Sequence, residues 1–173
     1  MKASVFVGTS LDGYLARPDG AYDFLPADGG EPHGYEEFFA SVDALIIGRN
    51  TYEVVLAIDP WPYGTKPVFV LSSKPLETTP AGAVVERMSG APEEVVSSLA
   101  RRGIQHVYVD GGLTIQSFLR AGLIQRMTIT RVPVLVGRGI PLFGPTERDI
   151  MLRHVATQQY ATGLVKSEYE VMR

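Results

Sequence analysis

The stretch Val107-Tyr108-Val109-Asp110-Gly111-Gly112, continued by Leu113-Thr114-Ile115-Gln116-Ser117-Phe118-Leu119, joins a β-branched and aromatic run to a helical apolar pattern through two glycines. Such a junction aims unpaired backbone N–H groups beyond the strand end, and the glycines admit a ligand to contact distance of the main chain. By itself it is either that or an ordinary strand-to-helix turn. A second junction of the same kind stands at Gly48-Arg49-Asn50-Thr51. There Asn50 or Thr51 can cap the helix, and Arg49 can take phosphate oxygens in pairs or serve as a surface arginine. A third cluster, Ser72-Ser73-Lys74, offers two hydroxyls and an ammonium. It reads either as a solvated turn or as a seat for a monophosphate, such as the 2′-phosphate that separates NADP from NAD. Two helix starts, each with unpaired donors and partial positive charge, suit a pyrophosphate.

These clusters need a scaffold that brings them together. Apolar runs predict strands at Ala3–Gly8, Ala44–Gly48, Pro67–Leu71 and Val107–Asp110, a weak one at Ala83–Val85, and a long one at Arg126–Val136 broken by Pro133. Helical patterns fall at Tyr35–Val42, Tyr52–Ala57, Ala91–Gly103 and after Gly112, and Thr162-Gly163 predicts a hairpin between Met151–Ala161 and Leu164–Met172. Strands alternating with helices, then a hairpin, imply a largely parallel sheet with helices on both faces and an antiparallel edge. In such sheets ligands settle beyond the strand carboxyl ends, so all three clusters are expected around one hollow. Arg17–Gly34 is rich in Pro, Gly, Asp and Ala and predicts a long irregular loop, of the kind that closes over a site.

At 173 residues, 45% hydrophobic and 20% charged, the chain fits a single globular domain over 1–173. A net charge of −3 gives no reason to expect nucleic acid or an anionic membrane as partner. The absence of cysteine excludes disulfides and thiol chemistry, and His33, His106 and His154 lack ligand spacing, so no metal site is expected. His106 opens a strand and reads as structural. The apolar run after Met1-Lys2 is too short for a signal peptide or membrane span, which makes the cytoplasm the expected location.

The set Ser10-Leu11-Asp12-Gly13-Tyr14, Ile47-Gly48-Arg49-Asn50-Thr51-Tyr52-Glu53, Val70-Leu71-Ser72-Ser73 and Asp110-Gly111-Gly112 with Phe118-Leu119 resembles the dihydrofolate reductase fold. Closest is the branch shared with the C-terminal reductase domain of the riboflavin-biosynthesis deaminase/reductase, which Pro133–Phe143 also resembles. The resemblance implies an α/β, three-layer fold: a central, mostly parallel mixed sheet, an antiparallel C-terminal hairpin and about four flanking helices. It implies NADPH as cofactor, with Gly48, Arg49, Asn50 and Thr51 on one side of the pyrophosphate and Gly111 and Gly112 on the other. Leu71, Ser72 and Ser73 would hold the adenine ribose and its phosphate. Leu113, Thr114 and Ile115 would run toward the nicotinamide, which would meet the backbone near Val7. Gly13 would start the lid over it.

Two departures from the family pattern bear on substrate. Asp110 stands where dihydrofolate reductases usually carry a further glycine, and a carboxylate aimed at a pyrophosphate costs binding, so it is expected to cap the following helix or turn away. The acid that the family carries on its first helix has Glu36 and Glu37 in its region, either as proton donors or as exposed helix charges. Asp12 is a further candidate donor or a turn former, and Phe24, Trp61 and Tyr63 either line a planar-substrate pocket or fill loop packing. The expected function is hydride transfer from NADPH to a flat pterin- or pyrimidine-like heterocycle. By resemblance that is an activity like that of dihydrofolate reductase or 5-amino-6-(5-phosphoribosylamino)uracil reductase. The alternative is a binding module of the same fold without turnover. The resemblance also implies a homodimer, with Thr128–Val136 and the hairpin as its surface.

Overall fold

A computed structural model describes residues 1–26 and 33–172. The larger part of the predicted Arg17–Gly34 loop is included, and 27–32 lie outside the described residues. The chain runs β1 (Lys2–Ser10), β2 (Tyr14–Ala16), α1 (Tyr35–Ser41), β3 (Ala44–Gly48), α2 (Arg49–Val55), β4 (Val68–Leu71), β5 (Val85–Met88), α3 (Pro92–Arg101), β6 (His106–Asp110), α4 (Gly112–Arg120), β7 (Arg126–Val132), β8 (Ile140–Pro141), β9 (Leu152–Gln159) and β10 (Val165–Val171). Eight strands form one sheet in the order β5-β4-β3-β6-β1-β7-β10-β9. All neighbours pair in parallel except β10, which is antiparallel to both β7 and β9.

The two-residue period of a strand divides the apolar side chains between the faces. Val5, Ala44, Ile46, Phe69, Val107, Val109, Met127 and Ile129 lie on one face under α3 and α4, packed with Val95, Leu99, Ile115 and Phe118. Leu45, Ile47, Val68, Val70 and Tyr108 lie on the other with Tyr52, Val55 and Tyr63, and Phe6, Phe38 and Phe39 close that core from β1 and α1. Two apolar faces force a third layer, which is why the central strands read as near-continuous hydrophobic runs.

Most element bounds shift by a residue or two from the sequence expectation, and three of the differences have a specific physical reason. The weak strand expected at Ala83–Val85 is displaced to Val85–Met88, because an edge strand pairs on one side only and tolerates charge: Glu86 meets Arg102 at 2.8 Å. Helix α2 starts at Arg49, not Tyr52, directly after the extended Gly48. Strand β7 stops at Val132, since Pro133 has no N–H to continue the ladder. β7 is also an interior strand between β1 and β10, with Met127–Thr130 buried, so it offers no dimer surface. The outer strand of the hairpin, β9, is exposed along its whole length.

His106 is structural, as its position suggested. Its Nδ1 lies 3.0 Å from the Ser41 carbonyl, which can only accept, so this nitrogen carries the proton. Nε2 then accepts from the Ser4 hydroxyl at 2.8 Å, and Asp43 takes the Gln105 and His106 amides, each at 2.8 Å. Burial holds the imidazole pKa below its ordinary 6.5, partly offset by the bond to Ser41. A folded-state pKa below the unfolded value means stability is present above pH 6.5 and is lost as pH falls below it. Thermal melts at pH 7 and 5.5 should therefore differ, and His106→Gln should narrow that difference; an unchanged gap would place the acid sensitivity elsewhere.

Candidate active site

The carboxyl ends of β1, β3, β4 and β6 open on one cavity of about 1240 Å³. At its centre the two glycine junctions are in contact. A side chain on Gly111 would drive its first carbon into the Thr51 hydroxyl and bring it to 3.8 Å from the Gly48 nitrogen. One on Gly48 would come 2.8 Å from the Thr114 hydroxyl. Gly111 has φ 95° and ψ 133°, a conformation that L-residues with a Cβ rarely adopt. It is followed at once by α4, whose Ile115 N–H already bonds the Gly111 carbonyl at 2.8 Å, while the first-turn amides of α4 start in the cavity wall.

Most of the residues singled out from sequence are brought together. Val7, Gly48, Arg49, Asn50, Thr51, Leu71, Gly111, Gly112, Leu113 and Thr114 all line the cavity. Arg49 donates to the Ser72 hydroxyl at 3.2 Å and the Pro75 carbonyl at 2.9 Å, and pairs with Glu53 at 2.8 Å. Arg87 reaches the Ser72 carbonyl at 3.0 Å, so the turn after β4 gathers Arg49, Lys74 and Arg87. Ser72 thus sits beside the cavity under Arg49, and Ser73 is exposed beyond it.

Others are not brought in. Ile115 is fully buried in the α4-side core, because its i+4 relation to Gly111 turns it toward the sheet. Trp61 and Tyr63 pack edge to face at 5.2 Å within the opposite core instead of lining the pocket. Phe24 lies under the Arg17 guanidinium at 5.9 Å, a loop contact. Glu36 and Glu37 are exposed in the first turn of α1, where they favour the helix dipole and line no part of the cavity. Asp12 is a strut: it accepts from the Ser10 hydroxyl at 2.6 Å and from the Val136 and Gly137 amides at 3.1 and 2.7 Å. Those bonds, that of Ser10 foremost, hold its pKa below the usual carboxylate range. With Gly13 (φ +86°), whose carbonyl accepts from Leu142 at 3.0 Å, it fixes the segment that carries β8. β2 and β8 pair, and Leu15, Ile140 and Pro141 close on Gly112 as the cavity's outer wall.

Asp110 corrects the sequence reading most. It neither caps α4 nor turns away. Its carboxyl accepts from the adjacent Gly111 amide at 2.8 Å and stays in the cavity wall. Burial raises its pKa, against the opposing pull of the Gly111 amide. The Asp110 charge adds to burial in raising the phenols of Tyr35, Tyr63 and Tyr108, Tyr35 to about 12. Tyr108 donates to the Phe6 carbonyl at 2.8 Å and, with Phe6, Gly8 and Tyr22, lines this half of the cavity. The signal was present in the sequence: residues two apart on a strand share a face, so Tyr108 predicts where Asp110 points.

An open sheet in this strand order, with glycine junctions at β3 and β6 and a reversed hairpin at the edge, is the dihydrofolate reductase-like fold. Dihydrofolate reductase from Enterococcus faecalis, in a complex with NADP(H) and RAB-propyl, superposes with a TM-score of 0.68 over 99% of this chain and 97% of that one, at 15% identity. Within that fold the chain belongs to the RibD C-terminal domain family, whose model matches residues 2–166. A putative riboflavin biosynthesis protein from Shewanella sp. PV-4 is 37% identical over the full length of both chains, with a TM-score of 0.91. The uncharacterized protein YwjB of Bacillus subtilis is 31% identical over 162 residues, 92% of each chain. The family and the dihydrofolate reductase-like fold are thereby established, and no helix among the described residues is long and apolar enough to cross a membrane.

Proposed function

We propose that the protein is a cytoplasmic, NADPH-dependent reductase that transfers a hydride to a flat heterocycle of pterin or pyrimidine type. The observation that carries this reading is the meeting of both glycine junctions and Asp110 in one cavity. The E. faecalis reductase of the same fold is a complex with NADP(H). Gly48, Gly111 and the first amides of α4 form a cradle that any side chain would fill, which suits a pyrophosphate, and Arg49 with Lys74 suits a further phosphate. NADPH would supply the hydride. The chain's own part is to seat it from Leu71 to Val7 and to hold the heterocycle among Phe6, Tyr22 and Tyr108. A carboxyl whose pKa burial raises keeps its proton more readily than an exposed one and can give it to a ring nitrogen.

Calorimetric titration should give NADPH at least about tenfold tighter binding than NADH, the equivalent of one charge-assisted contact. Arg49→Ala should cost at least ~1 kcal/mol with NADPH and little with NADH. Equal affinities for the two nucleotides would remove the role given to the turn after β4. NADPH oxidation with a panel of pterins and oxidised pyrimidines then separates a reductase from a chain that only binds.

The functional unit in this reading is a homodimer, formed along β9. Among the described residues that strand pairs with β10 alone, is exposed throughout, and has neither the proline nor the lysine that commonly protects a free edge. Light scattering should give the mass of two chains, and Val155→Lys should shift it to one; a monomeric native protein would rule the pairing out.

A further inference from the structure

Charge is distributed unevenly along the cavity. Of the described residues that line it, Arg49 is the one cation, and it stands at the β4 end, where it donates to the Ser72 hydroxyl and the Pro75 carbonyl. Lys74 and Arg87 belong to the same turn. The cations gathered at the site therefore lie at the end proposed for phosphate. The other half holds Phe6, Gly8, Tyr22 and Tyr108, and its ionisable groups besides the two phenols are the carboxyls of Asp110 and of Asp19, close to Tyr22 in the chain.

The asymmetry is written in the chain. From Pro18 to Gly48 there is no lysine or arginine, against seven aspartates and glutamates. This stretch supplies Pro18, Asp19, Gly20 and Tyr22 to the cavity wall. It also supplies α1, whose Tyr35 and Phe38 rings pack on Phe6 with centroids 5.6 and 5.0 Å away, and whose Glu36 and Glu37 are exposed. The cations that border this half are committed elsewhere. Arg17 holds Asp23 by two bonds, at 2.5 and 3.1 Å, and Lys166 donates to the His33 carbonyl at 3.0 Å. Arg138 adjoins Gly139 in the chain but does not line the cavity. A phosphate or carboxylate placed here would give up water and meet like charge, with no cation to receive it. A cleft of one sign repels ligands of that sign. We propose that the heterocycle taken by this half of the cavity is uncharged: a pterin or pyrimidine without a phosphate or carboxylate tail. The proposal rests on the reductase reading and narrows it, because a phosphoribosylated uracil and a folate, both with anionic tails, are turned away.

Two pairs of probes, each with one ring and two charge states, provide the test, titrated by calorimetry into the protein in excess NADP⁺. Pterin-6-carboxylate, a monoanion, should bind about threefold or more weakly than 6-hydroxymethylpterin. Uridine 5′-monophosphate, a dianion, should bind at least about tenfold more weakly than uridine. Raising salt from about 0.05 to about 0.5 M should narrow both gaps, because screening acts on charge and not on size. Asp19→Asn removes a charge yet keeps an oxygen for the Ala21 amide, its partner at 3.0 Å, and should narrow them as well. Tyr22→Arg, at an exposed position, should bring the members of each pair to equal affinity or reverse their order. Equal or tighter binding of the anions by the native protein would overturn the proposal. So would gaps that neither salt nor Asp19→Asn alters, or the absence of saturable binding by both neutral probes. Tight anion binding would leave a reductase with a charged substrate, whereas failure of the reductase reading itself shows as NADPH that is neither bound nor oxidised.

Discussion

Replacing Asp110 by asparagine should lower turnover in the proposed NADPH-dependent reduction about a hundredfold or more while raising thermal stability. The two signs are opposite because they come from the same buried proton. A group whose folded-state pKa exceeds its unfolded value adds stability only where it is protonated; that contribution is lost as pH rises through the folded pKa. Above the ordinary aspartate value the native protein therefore bears a cost for this buried carboxyl, and that cost grows as pH rises toward its raised pKa. Asparagine has the same shape and keeps an oxygen for the Gly111 amide, but it never ionises. The variant should exceed the native protein in unfolding free energy at pH 7 to 8, with the difference vanishing below pH 3.8, the ordinary aspartate value. Activity should move the other way, because general acid–base groups contribute roughly 10²- to 10⁴-fold. The loss should fall on kcat more than on KM, and the limb of the pH–rate profile assigned to this carboxyl should disappear. A variant that is more stable and fully active would leave Asp110 a buried charge with no part in the chemistry.

Gly111→Val should be the most damaging single substitution in the cavity. Two costs combine. The backbone sits at φ 95°, where strain for a residue with a Cβ is of order 1–3 kcal/mol. The new side chain also falls on the Thr51 hydroxyl and Cβ, and overpacking of this kind costs a further ~1–3 kcal/mol. A sum of about 3 kcal/mol would lower the melting temperature of a domain this size by roughly 6 to 12 °C. Thr51→Ala in the same chain removes the hydroxyl but not the backbone strain, so it should restore part of the loss. Full restoration would mean the glycine is required for space alone, and no restoration would mean it is required for conformation alone. Nucleotide binding should fail in Gly111→Val even at temperatures where the variant is folded, since the side chain occupies the cradle.

The two predictions rest on different kinds of legibility. Asp110-Gly111-Gly112 could be read from residue types as a strand–glycine–helix junction, which by itself was either ligand-facing or an ordinary turn. That Gly48 and Gly111 touch could not be read. They lie 63 residues apart, and only the β3–β6 pairing, Ile47 beside Asp110, makes them neighbours. Likewise, the family resemblance placed Ile115 with Leu113 and Thr114 along the cofactor. One helical step of about 100° turns it into the core.

The linear chain by itself determined the alternation of strands and helices, the glycine junctions, the reversed hairpin and so the fold class, because these follow from side-chain periodicity and local backbone freedom. Only tertiary structure decided which polar groups face the cavity and which are consumed elsewhere. Asp12 was a candidate proton donor until its oxygens were found on the Ser10 hydroxyl and the Val136 and Gly137 amides. Asp110 was expected to cap the following helix or turn away, but the fold keeps its carboxyl buried in the cavity wall, bonded to the Gly111 amide. A carboxyl's chemistry depends on its solvation and its partners, and both are set by residues distant in sequence.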